Sequence, residues 1–319
     1  MKNVLLFADP GIDDSLALIY AVLNPEINIV GIVPSYGNVT KEQAVQNVAY
    51  LLELGKLENI PIIRGAEGPV SGKFTVFYPE IHGPEGLGPI QPPQVISSEM
   101  APFSDIFTII SRFEGNITVV DIGRNSSLSI AFTLEPAITS MVSSYVLMGG
   151  AFLVPGNVTP VAEANVHGDS IASRNVFAKA KNTTLLPLNV TNYAYVTAEM
   201  ASIIERASQN PYKSLIPKVL DYYIQAYKRM VPGVPGAPVH DVLTLMALTK
   251  PEVCNYVMKS VDVQIDGPAH GLTIADFRNR PKEQPAQPEN EIKIAMQLNY
   301  NLFYEDFLTT MTRKIPPSI

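Results

Sequence analysis

The sequence contains no tryptophan and a single cysteine, Cys254. One cysteine cannot form a disulfide bond within the chain, which fits a reducing, cytoplasmic setting. Long apolar runs are missing as well: no stretch reaches the roughly eighteen residues of a membrane span. The apolar residues 4–8 are too few for the core of a signal peptide. We therefore expect a cytoplasmic protein without a membrane span.

Clusters of basic residues are also absent. The 23 lysines and arginines are outnumbered by 30 acidic residues, which gives a net charge of −7. Nucleic acid is therefore not an expected partner. The chain is instead rich in apolar residues, 46% of its 319 positions, and it has no repeat or low-complexity linker. This pattern favours one α/β domain that spans residues 1–319.

The most informative stretch begins with the apolar run Val4–Ala8, which has the character of a buried strand. A Pro-Gly turn follows, and three acids, Asp9, Asp13 and Asp14, flank this turn. Ligands of open α/β sheets bind where strands end, and three neighbouring carboxylates repel each other unless a cation lies between them. Oxygen ligands of this kind favour Ca²⁺. A structural alternative stays open, because the helix dipole also stabilises acids in a first helical turn.

The order of the first elements predicts the fold class. After the first helix come a second strand at residues 27–33, a helix opened by a capping box at Thr40, and a third strand at residues 60–63. This β-α-β-α-β order predicts a mostly parallel open sheet flanked by helices. At the other end of the chain, residues 289–312 are predicted to form a closing helix.

Further polar residues follow predicted strands or open predicted helices. Because the carboxyl ends of parallel strands meet at one edge of a sheet, these side chains can converge on one cavity. The set comprises Asn38, His82, Ser126, Asn157, Glu163, Asn165, His240 and Asp241. His167 and His270 have no such context, and we expect them to be structural or surface residues.

Several of these stretches, taken together, resemble the signature of a known enzyme family. In chain order they are Asp9-Pro10-Gly11-Ile12-Asp13-Asp14, Gly37-Asn38-Val39, His82-Gly83 with Gly86-Leu87-Gly88, Leu147-Met148-Gly149-Gly150-Ala151, Pro155-Gly156-Asn157 with Glu163-Ala164-Asn165, and His240-Asp241. The chain resembles the nucleoside hydrolases of the inosine-uridine preferring type over about residues 4–250. The resemblance implies a Rossmann-like nucleoside hydrolase fold.

The resemblance also implies a function: a Ca²⁺ enzyme that cleaves the N-glycosidic bond of purine or pyrimidine ribonucleosides to free base and ribose. By position, the implied metal ligands are Asp9, Asp13, Asp14, Asp241 and the backbone carbonyl of Ser126. The implied ribose ligands are Asp13, Asn38, Asn157, Glu163 and Asn165, with Met148 beneath the sugar. Asp9 would also act as general base toward the attacking water. Members of the family form homo-oligomers, so a dimer or tetramer is expected.

The chemistry of such a reaction suits these residue types independently. Asp, Asn and Glu side chains can hydrogen-bond ribose hydroxyls, and negative groups around the ring stabilise an oxocarbenium-like transition state. The departing base needs a proton donor with a pKa near neutrality, which points to the histidines His240 and His82. Tyr223 and Tyr227 lie four residues apart on one helical face. Packing is the default role for such a pair, whereas the resemblance suggests that both line the base pocket.

The chain departs from the family pattern at three points. Phe7 stands where an acid is common, Asn189 replaces a frequent aspartate, and Arg124-Asn125-Ser126-Ser127 replaces the usual Pro-Leu-Thr-Asn. Arg124 leaves the substrate preference open. The absence of tryptophan argues against the purine-specific branch that stacks the base on that residue. The His240-Asp241 pair favours the branch that accepts both kinds of base.

Two other functions remain open at this point. The same residues would serve a non-catalytic, metal-dependent ribose or nucleoside-binding protein. A phosphatase with an early aspartate nucleophile is weakened, because Gly11 rather than an acid lies two residues after Asp9 and no basic phosphate-binding loop is evident.

Overall fold

Seven strands form the central sheet of the protein. The computed structural model describes residues 1–93, 100–278 and 290–316. The strands of this sheet are β1 (Lys2–Ala8), β2 (Ile27–Pro34), β3 (Thr118–Asp121), β4 (Ser144–Met148), β5 (Thr183–Leu186), β8 (Cys254–Ser260) and β11 (Glu291–Leu298). Two short pairs lie outside it, β6 (Tyr195–Val196) with β7 (Ala237–Pro238) and β9 (Asp262–Val263) with β10 (Thr273–Ile274).

The strand order is β2-β1-β3-β4-β5-β11-β8. All neighbours are parallel except β11 and β8, which pair antiparallel at one edge. The first strand therefore lies inside the sheet, between β2 and β3, and its carboxyl end points to the same edge as those of its neighbours. The predicted class, a mostly parallel open sheet, is confirmed.

Helices cover both faces of the sheet. They are α1 (Ile12–Leu23), α2 (Lys41–Gly55), α3 (Pro79–His82), α4 (Asp105–Arg112), α5 (Ser126–Leu134), α6 (Ile138–Met141), α7 (Ala164–Gly168), α8 (Ser170–Lys179), α9 (Leu188–Thr191), α10 (Ala198–Ala207), α11 (Ile216–Met230), α12 (His240–Thr249) and α13 (Tyr300–Thr312), with a 3₁₀ turn at Pro251–Val253. The predicted capping box opens α2, where Thr40 Oγ1 accepts from the Gln43 N–H at 3.2 Å. None of the helices in the described ranges combines the length and apolarity needed to cross a bilayer.

Alternating side chains of β1 divide the interior into two cores. Val4 and Leu6 belong to the core that includes apolar residues of α1, α11 and α12. Leu5 and Phe7 belong to the core on the opposite face, with residues of α4, α5 and α8. Since both faces of a parallel strand are buried in this way, its sequence reads as a continuous apolar run.

Two predicted elements were wrong. Residues 60–63 do not form a strand of the sheet; Ile62 and Ile63 make only isolated parallel bridges to Ile32 and Ala101, because Pro61 lacks the N–H that a ladder requires. The predicted closing helix, of which residue 289 lies outside the described residues, is instead a strand, β11, followed by the helix α13. Asn299 separates them, and its side chain accepts from the Leu302 N–H at 3.3 Å as an N-cap.

The fold makes a prediction about Gly86, which has a φ of +81°. A Cβ there would lie 2.7 Å from Val39 Cγ1 and 2.8 Å from Asn47 Nδ2, and Asn47 Nδ2 ties the carbonyls of Pro10 and Glu85 together. Replacing Gly86 by Ala adds backbone strain and overpacking, so we expect a loss of about 2–4 kcal/mol in the free energy of unfolding.

Gly72 offers a matched control. Its φ is +69°, but nothing lies within 4 Å of a Cβ at that position. Gly72→Ala should therefore cost only the backbone strain, about 1 kcal/mol. Urea unfolding of both variants measures the difference, and equal losses would contradict a tight contact at Gly86.

Candidate active site

The turn between β1 and α1 gathers the first acids of the site. Asp14 Oδ1 accepts from the backbone N–H of Asp9 at 3.0 Å, and its Oδ2 accepts from that of Gly11 at 3.3 Å. Asp13 and Asp14 both lie in the first turn of α1, where the helix dipole favours negative charge. The Asp14 carboxylate thus fixes the backbone of this turn, and the turn places two buried carboxylates next to each other in sequence.

Asn38 links Asp9 to Asp14. Its side-chain amide donates to Asp14 Oδ2 at 2.8 Å and to Asp9 Oδ1 at 3.3 Å, and its backbone N–H donates to Asp9 Oδ2 at 3.1 Å. A Cβ at Gly37 would overlap the Asp9 carboxylate, so this close approach requires glycine. The predicted ribose ligand Asn38 therefore also holds the acids in place.

Asp241 completes the acidic cluster from the far end of the chain. It lies in the first turn of α12, and Asp13, Asp14 and Asp241 each offer an oxygen within 4.8 Å of the others. Asp13 Oδ1 is buried and receives no hydrogen bond from the described residues. An orphaned oxygen within a set of buried carboxylates fits a hard cation that prefers oxygen ligands, such as Ca²⁺.

Burial raises the pKa of every acid in this cluster, and repulsion from neighbouring carboxylates raises those of Asp9, Asp13 and Asp241 further. Burial, then the neighbouring Asp14, raises the pKa of Asp13 to about 7 and that of Asp9 well above its usual value. Burial, then Asp13 and Asp14, raises the pKa of Asp241 in the same way. Four such groups cannot all be ionised in a dry site unless positive charge compensates them.

The predicted metal ligand Ser126 is buried at the start of α5, and its hydroxyl is used in other contacts. Ser126 Oγ donates to Asp169 Oδ2 at 2.6 Å and lies 2.7 Å from the Tyr36 hydroxyl. Asp169 was not selected from the sequence; it caps α8 through the Ala172 N–H. Any contact from Ser126 to a metal is left to its backbone carbonyl, as the family resemblance implies.

The predicted ribose ligands line one wall of a cavity of about 1110 Å³, together with Asp13, Asn38 and Asp241. Glu163 caps α7 and accepts from three backbone N–H groups, those of Gly150, Asn165 and Val166, at 2.8–3.1 Å. The Asn165 amide donates to the Ile122 carbonyl at 2.9 Å and contacts Met148 Sδ at 3.3 Å. Asn157 Oδ1 accepts from the Ala164 N–H at 3.0 Å. These bonds fix the side chains before any ligand arrives.

An aromatic row forms the next part of the cavity wall. His82 stacks on Tyr223 with ring centroids 5.9 Å apart, and Tyr223 meets the edge of Tyr227 at 5.0 Å. The Tyr227 hydroxyl lies 3.3 Å from His240 Nε2, and His240 Nδ1 lies 2.8 Å from the Thr191 hydroxyl. Both tyrosines, for which packing was the default, therefore line the cavity beside the two predicted histidines.

The pKa values of the two histidines differ from the expectation. Burial lowers the pKa of His82 to about 3 and that of His240 to about 4, so the expected pKa near neutrality was wrong. The Ile12 N–H donates to His82 Nδ1 at 3.0 Å; a neutral His82 therefore carries its proton on Nε2. Gly11 permits this contact, because a Cβ there would lie 2.5 Å from His82 Nδ1.

Sequence reasoning missed several residues of the site. Thr191 orients His240 from the short helix α9, and Asn47 joins the Pro10 turn to the loop after α3. No motif or periodicity marks either position. His167 and His270, expected to be structural or surface residues, also line the cavity, at the part of the wall formed by α7 and the loop before β10.

The sequence matches a known family over nearly its whole length. A family model described as inosine-uridine preferring nucleoside hydrolase matches residues 4–305. Uridine nucleosidase 1 of Arabidopsis thaliana is 28% identical over 278 residues, which cover 86% of this chain and 82% of that protein. The pyrimidine-specific ribonucleoside hydrolase RihA of Escherichia coli O1:K1 / APEC is 31% identical over 277 residues, covering 86% and 88%.

Solved structures agree with these relatives. A plant nucleoside hydrolase, the PpNRh1 enzyme, superimposes with a TM-score of 0.89 at 27% identity, covering 98% of this chain and 99% of that one. The purine-preferring ribonucleoside hydrolase from Gardnerella vaginalis gives a TM-score of 0.89 at 25% identity, with 98% of each chain covered. Because the family model matches nearly the whole chain and these relatives are covered over most of their length, the chain belongs to the inosine-uridine preferring nucleoside hydrolase family and is an N-glycosidase.

Proposed function

We propose that the protein is a Ca²⁺-dependent hydrolase of both pyrimidine and purine ribonucleosides, releasing free base and ribose. One observation carries the proposal: Asp13 and Asp14 from the first helix meet Asp241 from α12, and Asp13 and Asp241 line a cavity together with the residues we assign to the ribose. Relatives named for uridine, pyrimidine and purine nucleosides support a broad choice of base.

Asp9, Asp13, Asp14, Asp241 and the carbonyl of Ser126 hold the cation in this proposal. The orphaned Asp13 Oδ1 and the raised pKa values of the cluster support this assignment. When bound, Ca²⁺ supplies positive charge that keeps the carboxylates ionised and orients the attacking water and the sugar hydroxyls.

The ribose is held by Asp13, Asn38, Asn157, Glu163 and Asn165, with Met148 beneath the ring. A ribose lacking a hydroxyl leaves buried acceptors without a partner, which penalises deoxyribonucleosides. As the bond to the base lengthens, positive charge develops on the sugar, and the fixed carboxylates of Asp13 and Glu163 stabilise it. The hydrogen bonds that Glu163 already accepts keep this charge in place at no reorganisation cost.

Asp9 takes the proton of the attacking water. Its carboxylate is buried, and both oxygens are oriented by Asn38. The neighbouring acids raise its proton affinity, which suits a general base once compensating charge keeps it ionised.

His240 gives a proton to the departing base. When the His240 ring is protonated on both nitrogens, Nδ1–H donates to the Thr191 hydroxyl and the Nε2 proton lies next to the Tyr227 hydroxyl. The imidazolium gives its Nε2 proton to the departing base and is left neutral, and solvent restores the proton after the products leave. Because burial lowers the pKa of His240 to about 4, the imidazolium gives up this proton readily. His82, with its proton also on Nε2, binds the base as a hydrogen-bond donor and stacks on Tyr223.

The function is tested with uridine, cytidine and inosine, each with Ca²⁺ and after EGTA. We expect reducing sugar from all three, a loss of at least about tenfold on chelation, and recovery when Ca²⁺ returns. 2′-Deoxyuridine is the matched control, and it should react about 10⁴-fold more slowly. Binding of nucleosides without release of sugar would instead identify the non-catalytic binding protein, and unchanged rates after EGTA would exclude the cation.

Replacing Asp9 by Asn tests whether Asp9 is the general base. Because the amide keeps the size but cannot take the water proton, kcat on uridine should fall by about 10²–10⁴-fold. Asp262→Asn, an acid-to-amide change at an exposed ion pair with Arg174, is the control and should keep full activity. Thermal unfolding of both variants checks the fold; a folded Asp9→Asn enzyme with normal kcat would remove Asp9 from this role.

Replacing His240 by Ala tests the leaving-group acid. Hydrolysis of inosine should slow by about 10²–10⁴-fold, whereas p-nitrophenyl riboside, whose leaving group needs no proton, should lose less than about tenfold. Thr191→Val removes only the contact to His240 Nδ1. It should also slow inosine hydrolysis more than p-nitrophenyl riboside hydrolysis, but by a smaller factor than His240→Ala. Equal losses on both substrates would assign His240 a structural role.

A further inference from the structure

Arg124 is a buried cation on the cavity wall to which the proposed mechanism gives no contact with substrate, although its charge partly offsets the effect of burial on the pKa values of Asp9 and Glu163. It is 4% exposed, one Nη donates to the Val76 carbonyl at 2.8 Å, and the guanidinium carbon lies 5.1 Å from the centre of the Tyr36 ring. Across residues 1–93, 100–278 and 290–316, no carboxylate forms an ion pair with it.

A buried guanidinium without an anionic partner is costly, and such groups are normally paired. Arg124 has five N–H donors, of which the Val76 carbonyl takes one. The surrounding backbone is fitted to this side chain, because a Cβ at Gly168 would overlap it. The chain therefore keeps Arg124 in the cavity wall with donors to spare, as an anion-binding site would require.

A second cation and two imidazole rings lie in this part of the cavity. Lys73, His167 and His270 line it as well, and the two imidazole rings lie 4.9 Å apart. Burial lowers the pKa of His167, and His270, Arg124 and Lys73 lower it further, so these groups share one electrostatic environment. We call Lys73, Arg124, His167 and His270 the cationic end.

The acids nearest the cationic end are already satisfied. Asp169 accepts from Ser126, Val70 and Ala172, and Glu163 accepts from three backbone N–H groups. Glu80 also lines the cavity but is exposed. None of these carboxylates is within ion-pair distance of Arg124, so the cationic end can accept an anion from outside.

The shape of a nucleoside indicates which atom faces this end. Under the proposed function, the base on C1′ contacts the aromatic row, and the hydroxyls of the ring face the acidic cluster. The remaining substituent of the ring is C5′. The cationic end and the aromatic row share no hydrogen bond or ring contact among the described residues. Glu163, Asn157 and Asn165 line the same cavity, and Glu163 interacts electrostatically with Arg124. The cavity of about 1110 Å³ also exceeds the usual ~300–1,000 Å³ of small-ligand sites.

We propose that the cationic end binds a phosphate ester on C5′, so that ribonucleoside 5′-monophosphates are substrates of the same site. This rests on the proposed function. Water adds to C1′, one of its protons passes to the general base, and the C1′–N bond breaks with its electron pair on the departing base, which takes a proton. The products are free base and ribose 5-phosphate, with the phosphate ester intact.

The test compares kcat/KM for uridine 5′-monophosphate and uridine, with Ca²⁺ present, in the wild type and in Arg124→Gln. The ratio of the two values cancels effects that Arg124 has on the shared chemistry. We expect wild-type turnover of the monophosphate and a fall of about 10–100-fold in the ratio for Arg124→Gln, as for loss of a charge-assisted bond. Lys73→Gln, at an exposed position, should lower the ratio by about 2–5-fold.

Arg174→Gln is the matched control. Arg174 is exposed and paired with Asp262, so the variant has the same net charge as Arg124→Gln and should leave the ratio unchanged. If Arg124→Gln fails to fold, Lys73→Gln and wild-type competition by the monophosphate against uridine decide the question.

The outcomes separate this inference from the proposed function. Cleavage of uridine, with a monophosphate that is neither cleaved nor inhibitory, overturns the inference alone. Inhibition by inorganic phosphate together with an uncleaved monophosphate also overturns it, since the site then takes a free anion. If no nucleoside is cleaved, the proposed function fails, and calorimetric titration decides the inference: tighter binding of the monophosphate than of uridine, lost in Arg124→Gln, supports it, and equal binding overturns it.

Discussion

The repulsion among buried carboxylates is the constraint on which the rest of this site depends. Asp13 and Asp14 begin α1, and Asp241 begins α12, so two helix N-termini, each with partial positive charge, point at one cluster. The two helices also pack against each other. The helix N-termini lower the free-energy cost of burying ionised carboxylates. They do not cancel it, since the pKa values of Asp13 and Asp241 remain raised. Full compensation needs a cation, which links metal binding to catalysis.

Neighbouring side chains limit what each acid can do. Asn38 occupies both oxygens of Asp9 and one of Asp14, whereas Asp13 Oδ1 has no partner among the described residues. The free oxygen therefore belongs to the residue with the two proposed partners, the cation and a ribose hydroxyl. Glycines at positions 11 and 37 allow His82 and Asp9 to approach the backbone closely. The geometry of the site is thus set as much by missing Cβ atoms as by polar groups.

The sheet class and the residues at its carboxyl edge could be predicted from the sequence, because both follow from local patterns. Apolar runs mark strands such as β1, and polar residues at strand ends converge on one edge. Contacts between distant segments leave no such pattern, which is why Thr191 beside His240 was missed. The lowered pKa of His240 was also missed, because burial by the whole fold determines it. Likewise, β11 alternates between buried and partly exposed residues, a period that a helical interpretation overlooked.

The residues around Phe7 and Arg124 explain how the fold accommodates these two departures from the family pattern. Phe7, where an acid is common, is buried in the core, and the residue beside it on β3, Asp121, is a buried acid that accepts from Asn125 and Gly123. An acid is therefore present on the neighbouring strand, at Asp121, rather than at position 7. Arg124 has room because residue 168 is glycine: a Cβ there would lie 2.4 Å from Arg124 Nε. A replacement that harmed the site would leave a steric clash or an unfilled volume. Arg124 instead fits against Gly168 and keeps N–H donors free toward the cavity. That combination is expected of a residue that contacts a ligand.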